Sequence, residues 1–403
     1  MKATGLVVEH NPFHNGHFYH AQQARNATGA DVVIAVMSGN FLQRGEPALV
    51  DKWTRAKMSL QAGVDLVVEL PYRYATASAK EFASASIFLL NALKADSFVF
   101  GSEHGDIGAF HQTVQLIRSN EHVYQQAIRE AVHSGSSYPQ ALQHAFVTLQ
   151  TLVPGQDVVD LSKPNNILGY HYTEACYTYS LPITPQTIQR IGAGYHDEIT
   201  PTQSIASATG IRKALFETQE LHTAASFMPE TTLNELDSWF TSYRQFASWS
   251  QFWPTLRFAI LSKTSQQLAA IAEVTEGIEH ALLKHAASSS SYDEFMRKLK
   301  SKRYTWTRLQ RMLTHIYTGF LETERTDKLP DAIRLIGMSN KGQLYLNSVK
   351  KDLELPLVSR LASSKSSFIA QDIRASNVYY LGFESEKLHQ LVGHEYKKLP
   401  LMI

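Results

Sequence analysis

The sequence predicts an α/β fold with a parallel β-sheet, followed by a mainly α-helical C-terminal part. In the first half of the 403-residue chain, short valine-rich apolar runs alternate with helical patterns, which is typical of a parallel sheet covered by helices on both faces. From about Thr218 consecutive helical patterns replace these runs. The chain is also too long for one ordinary core. We therefore predict two domains, residues 1–218 and residues 219–403.

The elements of the first half follow from their apolar periodicity. Strands are predicted as apolar runs before small or polar residues, at 5–8, 31–37, 64–70, 96–101 and 183–190. Helices are predicted at 51–62, 78–93 and 163–179, with two or three more between 106 and 151. Ligands of such sheets bind beyond the carboxyl ends of the strands, so the residues after each strand are candidate site residues.

The second half of the chain has a mainly helical sequence pattern. Helices are predicted at 232–246, 252–262, 276–285, 292–299 and 308–320. Residues 332–349 and 356–373 return to a strand-and-helix pattern around Gly337 and Gly342. The sequence gives no role for residues 330–403.

Two histidines follow the first strand, within the segment from Val7 to His20. Pro12 and Gly16 end the apolar run, and a helical pattern begins directly after them. A helix N-terminus presents free N–H groups and a positive dipole end, which favour an anion. His14 and His17 can both donate hydrogen bonds to charge that develops on that anion. The alternatives are a surface turn or a pair of metal ligands, and the strand before and helix after favour the anion site.

A second anion-binding helix start is predicted near Ser207 and Thr209. Arg212 and Lys213 follow in its first turn, so this terminus can bind a polyphosphate. The simpler alternative is an ordinary Ser/Thr cap before a solvated basic turn. Together with His-x-Gly-His, the segment resembles the motifs of the nucleotidyltransferase superfamily, whose members join a nucleoside triphosphate to an acceptor and release pyrophosphate.

The composition excludes several classes of protein. With 44% hydrophobic and 19% charged residues and a net charge of +1, the chain is typical of a soluble globular protein. Met1 and Lys2 lead directly into the first strand, and the apolar runs are too short to span a membrane. We therefore expect a cytoplasmic protein without a membrane partner. The single cysteine, Cys176, excludes an intramolecular disulfide and a cysteine-based zinc site, and no protein-bound metal is predicted.

A basic stretch marks the second half, from Met296 to Arg311. It carries seven Lys or Arg residues and no acidic residue, with Tyr304 and Trp306 among them. Such a pattern suits a phosphate backbone and a stacked base, although a charged run is more often a solvated helix face. The predicted RNA-binding residues are Arg297, Lys298, Lys300, Lys302, Arg303, Tyr304, Arg308 and Arg311.

Five longer motifs together resemble the bacterial tRNA(Met) cytidine acetate ligase family. They are GLVVEHNPFHNGH at 5–17, SGNFLQRGEPA at 38–48, PNNILG at 164–169, RIGAGYHD at 190–197 and KRYT at 302–305. The resemblance covers nearly the whole chain and implies a Rossmann-like nucleotidyltransferase domain. It also implies an enzyme that forms acetyl-adenylate and pyrophosphate from acetate and ATP, without acetyl-CoA. Its acceptor would be N4 of the wobble cytidine of elongator tRNA(Met).

Site residues follow from this resemblance and from the motifs above. His14 and His17 are the expected catalytic residues, acting as electrostatic stabilisers, and Mg²⁺ is expected with the nucleotide. The expected ATP-binding residues are Val7, Val8, Glu9, His10, Asn11, Pro12, Phe13, His14, Asn15, Gly16, His17, Phe18, Tyr19, His20, Gly101, Asn165, Asn166, Arg190, Ile191, Ser207, Thr209 and Arg212. Which of the two asparagines contacts ATP stays open.

Two other functions also agree with parts of the sequence. A nucleotidyltransferase that adenylylates or cytidylylates a small metabolite would explain the first half but not the basic stretch. A non-catalytic RNA-binding adaptor would explain the basic stretch but not the paired histidines. The sequence does not indicate the oligomeric state.

Overall fold

The computed structural model describes residues 1–136, 138–151, 155–190, 206–218, 220–361, 364 and 366–403. Within these ranges the strands form one eight-stranded sheet. They are β1 Ala3–Val8, β2 Val32–Ser38, β3 Leu66–Leu70, β4 Ser97–Ser102, β5 Thr184–Gln189, β6 Ile333–Met338, β7 Leu357–Val358 and β8 Leu401–Met402. The order is β5-β4-β1-β2-β3-β6-β7, and β8 pairs with β6.

The five predicted strands of the first half are confirmed, and they pair in parallel. The α/β prediction is therefore also confirmed. The sheet continues into the C-terminal part, because β6 pairs antiparallel with β3 and β7 and β8 pair with β6. The sheet thus contains strands from both predicted domains. The domain division at residue 218 stays a prediction.

The predicted helices of the first half lie within a few residues of their expected positions, and the short helix Tyr72–Ala75 was not predicted. The helices are α1 Asn15–Thr28, α2 Lys52–Gln61, α3 Tyr72–Ala75, α4 Ala79–Ala92, α5 Ile107–Ser119, α6 Glu121–His133, α7 Tyr138–Gln150, α8 Pro164–Thr178 and α9 Ala208–Thr218. Capping explains several of these bounds. Asp51 and Ser78, for example, accept backbone N–H groups at the starts of α2 and α4.

The predicted helices of the second half are also present. The structure has α10 Glu230–Tyr243, α11 Trp253–Leu261, α12 Ser265–Ala269, α13 Ile278–Ala287, α14 Tyr292–Leu299, α15 Trp306–Thr318, α16 Asn340–Val349, α17 Ile369–Leu381 and α18 Glu386–His389. Across the described ranges, none of the helices combines the length and apolar character needed to cross a bilayer.

The core is divided by the sheet. Ile34 and Val36 pack on one face, in a cluster with α4 and α8, whereas Val33 and Ala35 pack on the other face beside α1 and α2. This alternation is the period-two pattern of a strand buried on both faces. The helices of the second half form another core, which includes Phe13 and Phe41 from the segments after β1 and β2. The segments that carry the candidate site are therefore anchored in the helical core.

A buried cluster of charges fixes β6 against β3. Lys52 Nζ lies 2.8 Å from Glu69 and 3.1 Å from Glu395. The Arg334 guanidinium pairs with the same two carboxylates, and its contact with Glu69 at 2.9 Å is an ion pair without hydrogen-bond geometry. Although burial opposes the charged form of Glu395, Lys52 and Arg334 lower its pKa to about 2. Two cations thus balance two carboxylates in the interior.

Removing one of these cations should destabilise the fold. We expect Arg334→Met to lower the free energy of unfolding by roughly 3–5 kcal/mol in urea titrations, because it leaves two buried carboxylates with one cation. Arg325→Met is the matched control, since Arg325 also pairs with two carboxylates but is about one-third exposed. Its expected loss is at most about 1 kcal/mol. Equal losses in the two variants would show that burial of the charge cluster does not set its contribution to stability.

Candidate active site

A cavity of about 300 Å³ lies at the carboxyl ends of β1, β2, β4 and β5. Parallel sheets bind ligands at this edge. Sixteen of the predicted site residues line it: Val7, Val8, Glu9, His10, Asn11, His14, Gly16, His17, Tyr19, His20, Gly101, Asn165, Arg190, Ser207, Thr209 and Arg212. Three parts of the chain therefore meet at one cavity, as the sequence predicts: the segment between β1 and α1, the ends of β4 and β5, and the start of α9.

The buried guanidinium of Arg55 holds the ends of β1 and β2 together. It donates hydrogen bonds to the backbone carbonyls of Glu9, Ser38, Gly39 and Val50. The side chain is fully buried, and this burial lowers its pKa. Because a buried charge needs such partners, Arg55 fixes the backbone from which the candidate catalytic segment begins.

The first turn of α1 sets the orientation of His14 and His17. His14 is the N-cap residue, and its Nδ1 accepts the Gly16 N–H at 3.0 Å. His17 Nδ1 accepts the His14 N–H at 3.3 Å. The two rings stack with centroids 3.7 Å apart. Because both Nδ1 atoms are acceptors, the proton of each neutral ring lies on Nε2, and each ring retains one N–H donor.

Burial keeps the cavity histidines neutral. Burial, together with the charges of Arg190 and Arg212, lowers the pKa of His14 from 6.5 to about 3. Burial also places the pKa of His10 and of His17 well below 6.5. The rings thus act as neutral hydrogen-bond donors, and the positive charge of the site comes from arginine.

Arg212 is the basic residue of α9 that reaches the cavity. Its guanidinium donates to the Asn11 carbonyl at 2.9 Å and pairs with Glu46 at 3.1 Å. Lys213, by contrast, is exposed and lies 4.0 Å from Glu217. Ser207 caps the start of α9 by accepting the Gly210 N–H. Arg212 and the capped helix start therefore line the cavity together, and their binding to a polyphosphate stays a prediction.

The ends of β4 and β5 approach each other closely at Gly101. A Cβ atom at this position would lie 3.3 Å from Cγ of Arg190. The absence of a side chain therefore lets Arg190 lie across the end of β4, beside the cavity. Gly101 is among the expected ATP-binding residues, and here its close neighbour is an arginine side chain.

The structure separates the roles of the two asparagines at the start of α8. Asn165 lines the cavity, and its Nδ2 donates to Glu103 at 2.6 Å. Asn166 is buried instead. Its Oδ1 accepts the N–H groups of Glu103 and His104, and its Nδ2 donates to the Asp160 carbonyl. Asn166 thus holds the chain after β4, and Asn165 is available to a ligand.

Five predicted ATP-binding residues do not line the cavity. Phe13 is fully buried in the helical core, and Asn15 donates to the Ser226 carbonyl. Phe18 points outward and is 37% exposed. Pro12, which follows a cis peptide bond, and Asn166 complete the set. Ile191 and residues 192–197 lie outside the described residues.

Several lining residues were absent from the predicted set. They are Leu42, Gln43, Arg44, Glu46, Phe82, Phe100, Pro164, Leu168, Tyr172, Ile188, Gln189, Ala206 and Ala208. The first four belong to a motif that follows β2, where position after a strand could have identified them. Phe82, Phe100 and Tyr172 have the spacing of core residues, and only the tertiary structure places them at the cavity.

The basic stretch includes α14, the start of α15 and the turn between them. Arg297, Lys298, Lys300, Lys302 and Arg303 are exposed, which agrees with an RNA-facing surface. Arg308 and Arg311 differ in exposure, because they are only partly exposed; they pair with Glu276 and Glu273. Two of the exposed residues, Lys298 and Arg303, also pair with glutamates.

Tyr304 does not fit the stacking role that the sequence suggested. The side chain is buried, and its hydroxyl donates to the Thr275 carbonyl at 3.0 Å. The Arg308 guanidinium covers the ring, 4.8 Å from its centroid. A base therefore cannot stack on it. Trp306, which is 42% exposed, is the aromatic residue of this stretch that is accessible.

Gly45 joins the segment after β2 to α15. Its backbone is left-handed, with φ of 76°. A Cβ atom at this position would lie 2.2 Å from the backbone nitrogen of Arg311. The two backbones thus pack directly against each other at a point where only glycine fits. The segment after β2, which contributes lining residues to the cavity, therefore packs against α15.

Comparisons with known proteins agree with this geometry. Residues 1–393 match the family HIGH Nucleotidyl Transferase. The tRNA(Met) cytidine acetate ligase of Lysinibacillus sphaericus is 52% identical over 402 residues, covering 100% of both chains. The protein of the same name from Bacillus subtilis is 46% identical, covering 100% of this chain and 97% of the relative.

Comparison with solved structures also finds close matches over the full chain. The crystal structure of Thermotoga maritima TmcAL in its apo form has a TM-score of 0.93 and 30% identity, with 100% of each chain covered. The structure of the same protein bound with alpha-thio ATP has a TM-score of 0.92 at 30% identity, again with 100% of each chain covered.

The neutral histidines should make stability depend on pH. Imidazoles of the unfolded chain take up protons below about pH 6.5, whereas folded His14 and His20, with pKa values of about 3 and about 4, do not. The stability due to each neutral ring is therefore complete above pH 6.5 and is lost as the pH falls. At pH 5 the loss is about 2 kcal/mol for each ring.

The matched variant for this pH dependence is His14→Gln. Urea unfolding at pH 7 and pH 5 should show a smaller loss of stability in this variant than in the wild type, by up to about 2 kcal/mol. If the variant and the wild type lose the same stability between pH 7 and pH 5, His14 is already protonated at pH 5 in the folded chain.

Proposed function

The chain belongs to the tRNA(Met) cytidine acetate ligase family of HIGH nucleotidyl transferases, and from this membership we propose that it acetylates N4 of the wobble cytidine of elongator tRNA(Met). It would activate acetate with ATP to acetyl-adenylate and pyrophosphate, and then transfer the acetyl group. The observation that carries the proposal is the cavity at the strand ends, which His14, His17 and the start of α9 line together in a chain that matches these ligases over its full length.

The first half-reaction needs charge stabilisation rather than a base. Acetate is ionised near neutral pH, so an acetate oxygen can attack the α-phosphorus directly and displace pyrophosphate. The transition state places additional charge on the phosphoryl oxygens. We assign the Nε2–H groups of His14 and His17 to those oxygens, and Arg190 and Arg212 to the phosphates. Donors that are fixed before the reaction cost no reorganisation when charge develops.

Asn165 is the asparagine that we assign to ATP. It lines the cavity, whereas Asn166 uses its amide groups within the protein. Glu103 orients Asn165, because it accepts hydrogen bonds from both the Nδ2 and the backbone N–H of this residue. The nucleoside would then lie over the ends of β4 and β5.

Mg²⁺ would be bound mainly by the phosphates. In the described part of the chain, no group of three or more His, Cys, Asp or Glu side chains is placed to hold a metal ion. Mg²⁺ normally keeps several waters and binds through substrate phosphates with few protein ligands, which agrees with this arrangement. The ion would neutralise charge on the leaving pyrophosphate.

The exposed basic residues of α14 and the turn after it would bind the tRNA backbone. Arg297, Lys300 and Lys302 are exposed, and Lys298 and Arg303 are exposed residues that also pair with Glu294 and Glu276. Contacts of this kind position RNA through its phosphates and weaken with salt. Since Arg311 is held by Glu273, we assign it to the support of this surface.

An assay of pyrophosphate release tests the function. With ATP and acetate we expect release that depends on acetate, and with elongator tRNA(Met) we expect one acetylated cytidine by mass spectrometry of the digested RNA. Release that requires another acceptor would favour a metabolite nucleotidyltransferase. No release with any acceptor, together with retained tRNA binding, would favour the non-catalytic adaptor.

The two imidazoles can be tested in the same assay. His14→Ala and His17→Ala should each lower the rate of acetate-dependent pyrophosphate release at saturating ATP by about 100-fold or more, with a much smaller change in ATP affinity, because the lost donor acts mainly in the transition state. His111→Ala is the control, since His111 bonds to Tyr177 away from the cavity. Wild-type rates in the two test variants would disprove the assignment.

A further inference from the structure

The Glu9 carboxylate lies at the cavity on a different flank from the predicted nucleotide residues. The sheet order places β4 and β5 on one side of β1, and β2 on the other. Gly101 lies at the carboxyl end of β4, and Arg190 follows β5. Glu9 follows β1, and its Oε1 accepts the N–H of Gln43, which follows β2, at 2.7 Å. The cavity thus has a nucleotide flank and a second flank that contains a carboxylate.

We propose that Glu9 accepts the proton that the N4 amine of the wobble cytidine loses when it attacks acetyl-adenylate. This proposal rests on the proposed function and assigns Glu9 to its second half-reaction. The family resemblance had placed Glu9 among the ATP-binding residues. The geometry instead points to a role opposite the nucleotide.

The hydrogen-bonding and charge properties of the Glu9 carboxylate favour an amine as its neighbour in the cavity. An ionised carboxylate only accepts hydrogen bonds, and it repels the other anions of the reaction, which are acetate and the phosphates. The amino groups of adenine and cytosine are the base donors that the substrates bring. Adenine would lie over β4 and β5, so the cytosine amine is left for Glu9. Pairing of Glu or Asp with cytosine N4 is also a known form of base recognition.

The surroundings of Glu9 suit a proton acceptor. Among the described residues its carboxylate has one hydrogen-bond partner, the Gln43 N–H, and no ion pair, which leaves Oε2 for a substrate. Burial raises the pKa of Glu9, while the Gln43 N–H and the charges of Arg44 and Arg55 oppose this shift. The negative charge of Glu46 also raises the pKa of Glu9. Tyr172 is close enough for the charge of Glu9 to raise the pKa of its hydroxyl. A raised pKa makes a carboxylate a stronger base.

The proposed step balances without a further reactant. The N4 lone pair forms a bond to the acetyl carbonyl carbon, and the bond between that carbon and the phosphate oxygen breaks. AMP leaves with the electron pair, and the N4 proton moves to Glu9 Oε2, from which it exchanges with solvent. Phe82, Phe100 and Tyr172 line the cavity as well, and this aromatic surface would limit hydrolysis of the mixed anhydride.

The test compares the two half-reactions in Glu9→Gln. The amide oxygen of glutamine can still accept the Gln43 N–H, so the segment after β2 keeps its support while the proton acceptor is lost. Acetate-dependent exchange of pyrophosphate into ATP should stay within about twofold of the wild-type rate. Single-turnover acetyl transfer to saturating elongator tRNA(Met) should fall by about 100-fold or more.

A pH profile provides a second measurement. Wild-type transfer should accelerate with rising pH as Glu9 loses its proton, and Glu9→Gln should lose this dependence. Glu174→Gln is the matched control, because Glu174 lies on α8 outside the cavity lining and pairs with His171 of the same helix and with Lys80 of α4. It should retain the wild-type rates of exchange and transfer and the wild-type pH profile.

Three results would overturn the proposal: undiminished transfer in Glu9→Gln, an equal fall of exchange and transfer, or a pH profile like that of the wild type. An equal fall would assign Glu9 to the nucleotide instead. Failure of the proposed function is distinguishable, since the wild-type protein itself would then show no acetate-dependent exchange.

Discussion

The contact on which the site most depends is the buried guanidinium of Arg55 against the carbonyl groups at the ends of β1 and β2. Glu9 and Gly39 lie just beyond these strands, and a buried carbonyl without a partner is costly. Arg55, which lies on α2, donates hydrogen bonds to carbonyls at both strand ends. The start of α2 is itself held by Lys52, which lies between Glu69 and Glu395. The charge cluster between β3 and β6 and the geometry of the cavity are therefore connected through one helix.

The electrostatics of the cavity separate two tasks. Positive charge comes from Arg190 and Arg212, whose positions are fixed by the backbone and by Glu46. The imidazoles contribute oriented N–H dipoles, because burial keeps them neutral and their Nδ1 atoms are already used. Neutral donors do not hold the ground-state phosphates as tightly as cations would. They are therefore suited to charge that appears only in the transition state.

Sequence periodicity and motif order were sufficient for the strands of the first half and for most of the cavity. The C-terminal strands were not predicted as part of the sheet, because Ile333–Met338 shows its own apolar pattern but not its partner, β3, which lies far away in sequence. The role of Arg55 was equally hidden, since an arginine within a helical pattern normally indicates a solvated face. Tyr304 was misjudged because its basic neighbours suggested exposure, whereas Thr275 and Arg308 enclose it.

The close contact of Gly45 with α15 has a consequence for how RNA reaches the cavity. Because the two backbones are in contact, α15 and the segment after β2 have little room to move closer together. The adjustment must then come from the nucleic acid. An anticodon that docks on such a rigid frame has to unstack its wobble nucleotide and extend it inward, so the mobility of the loop would be part of how a substrate is chosen.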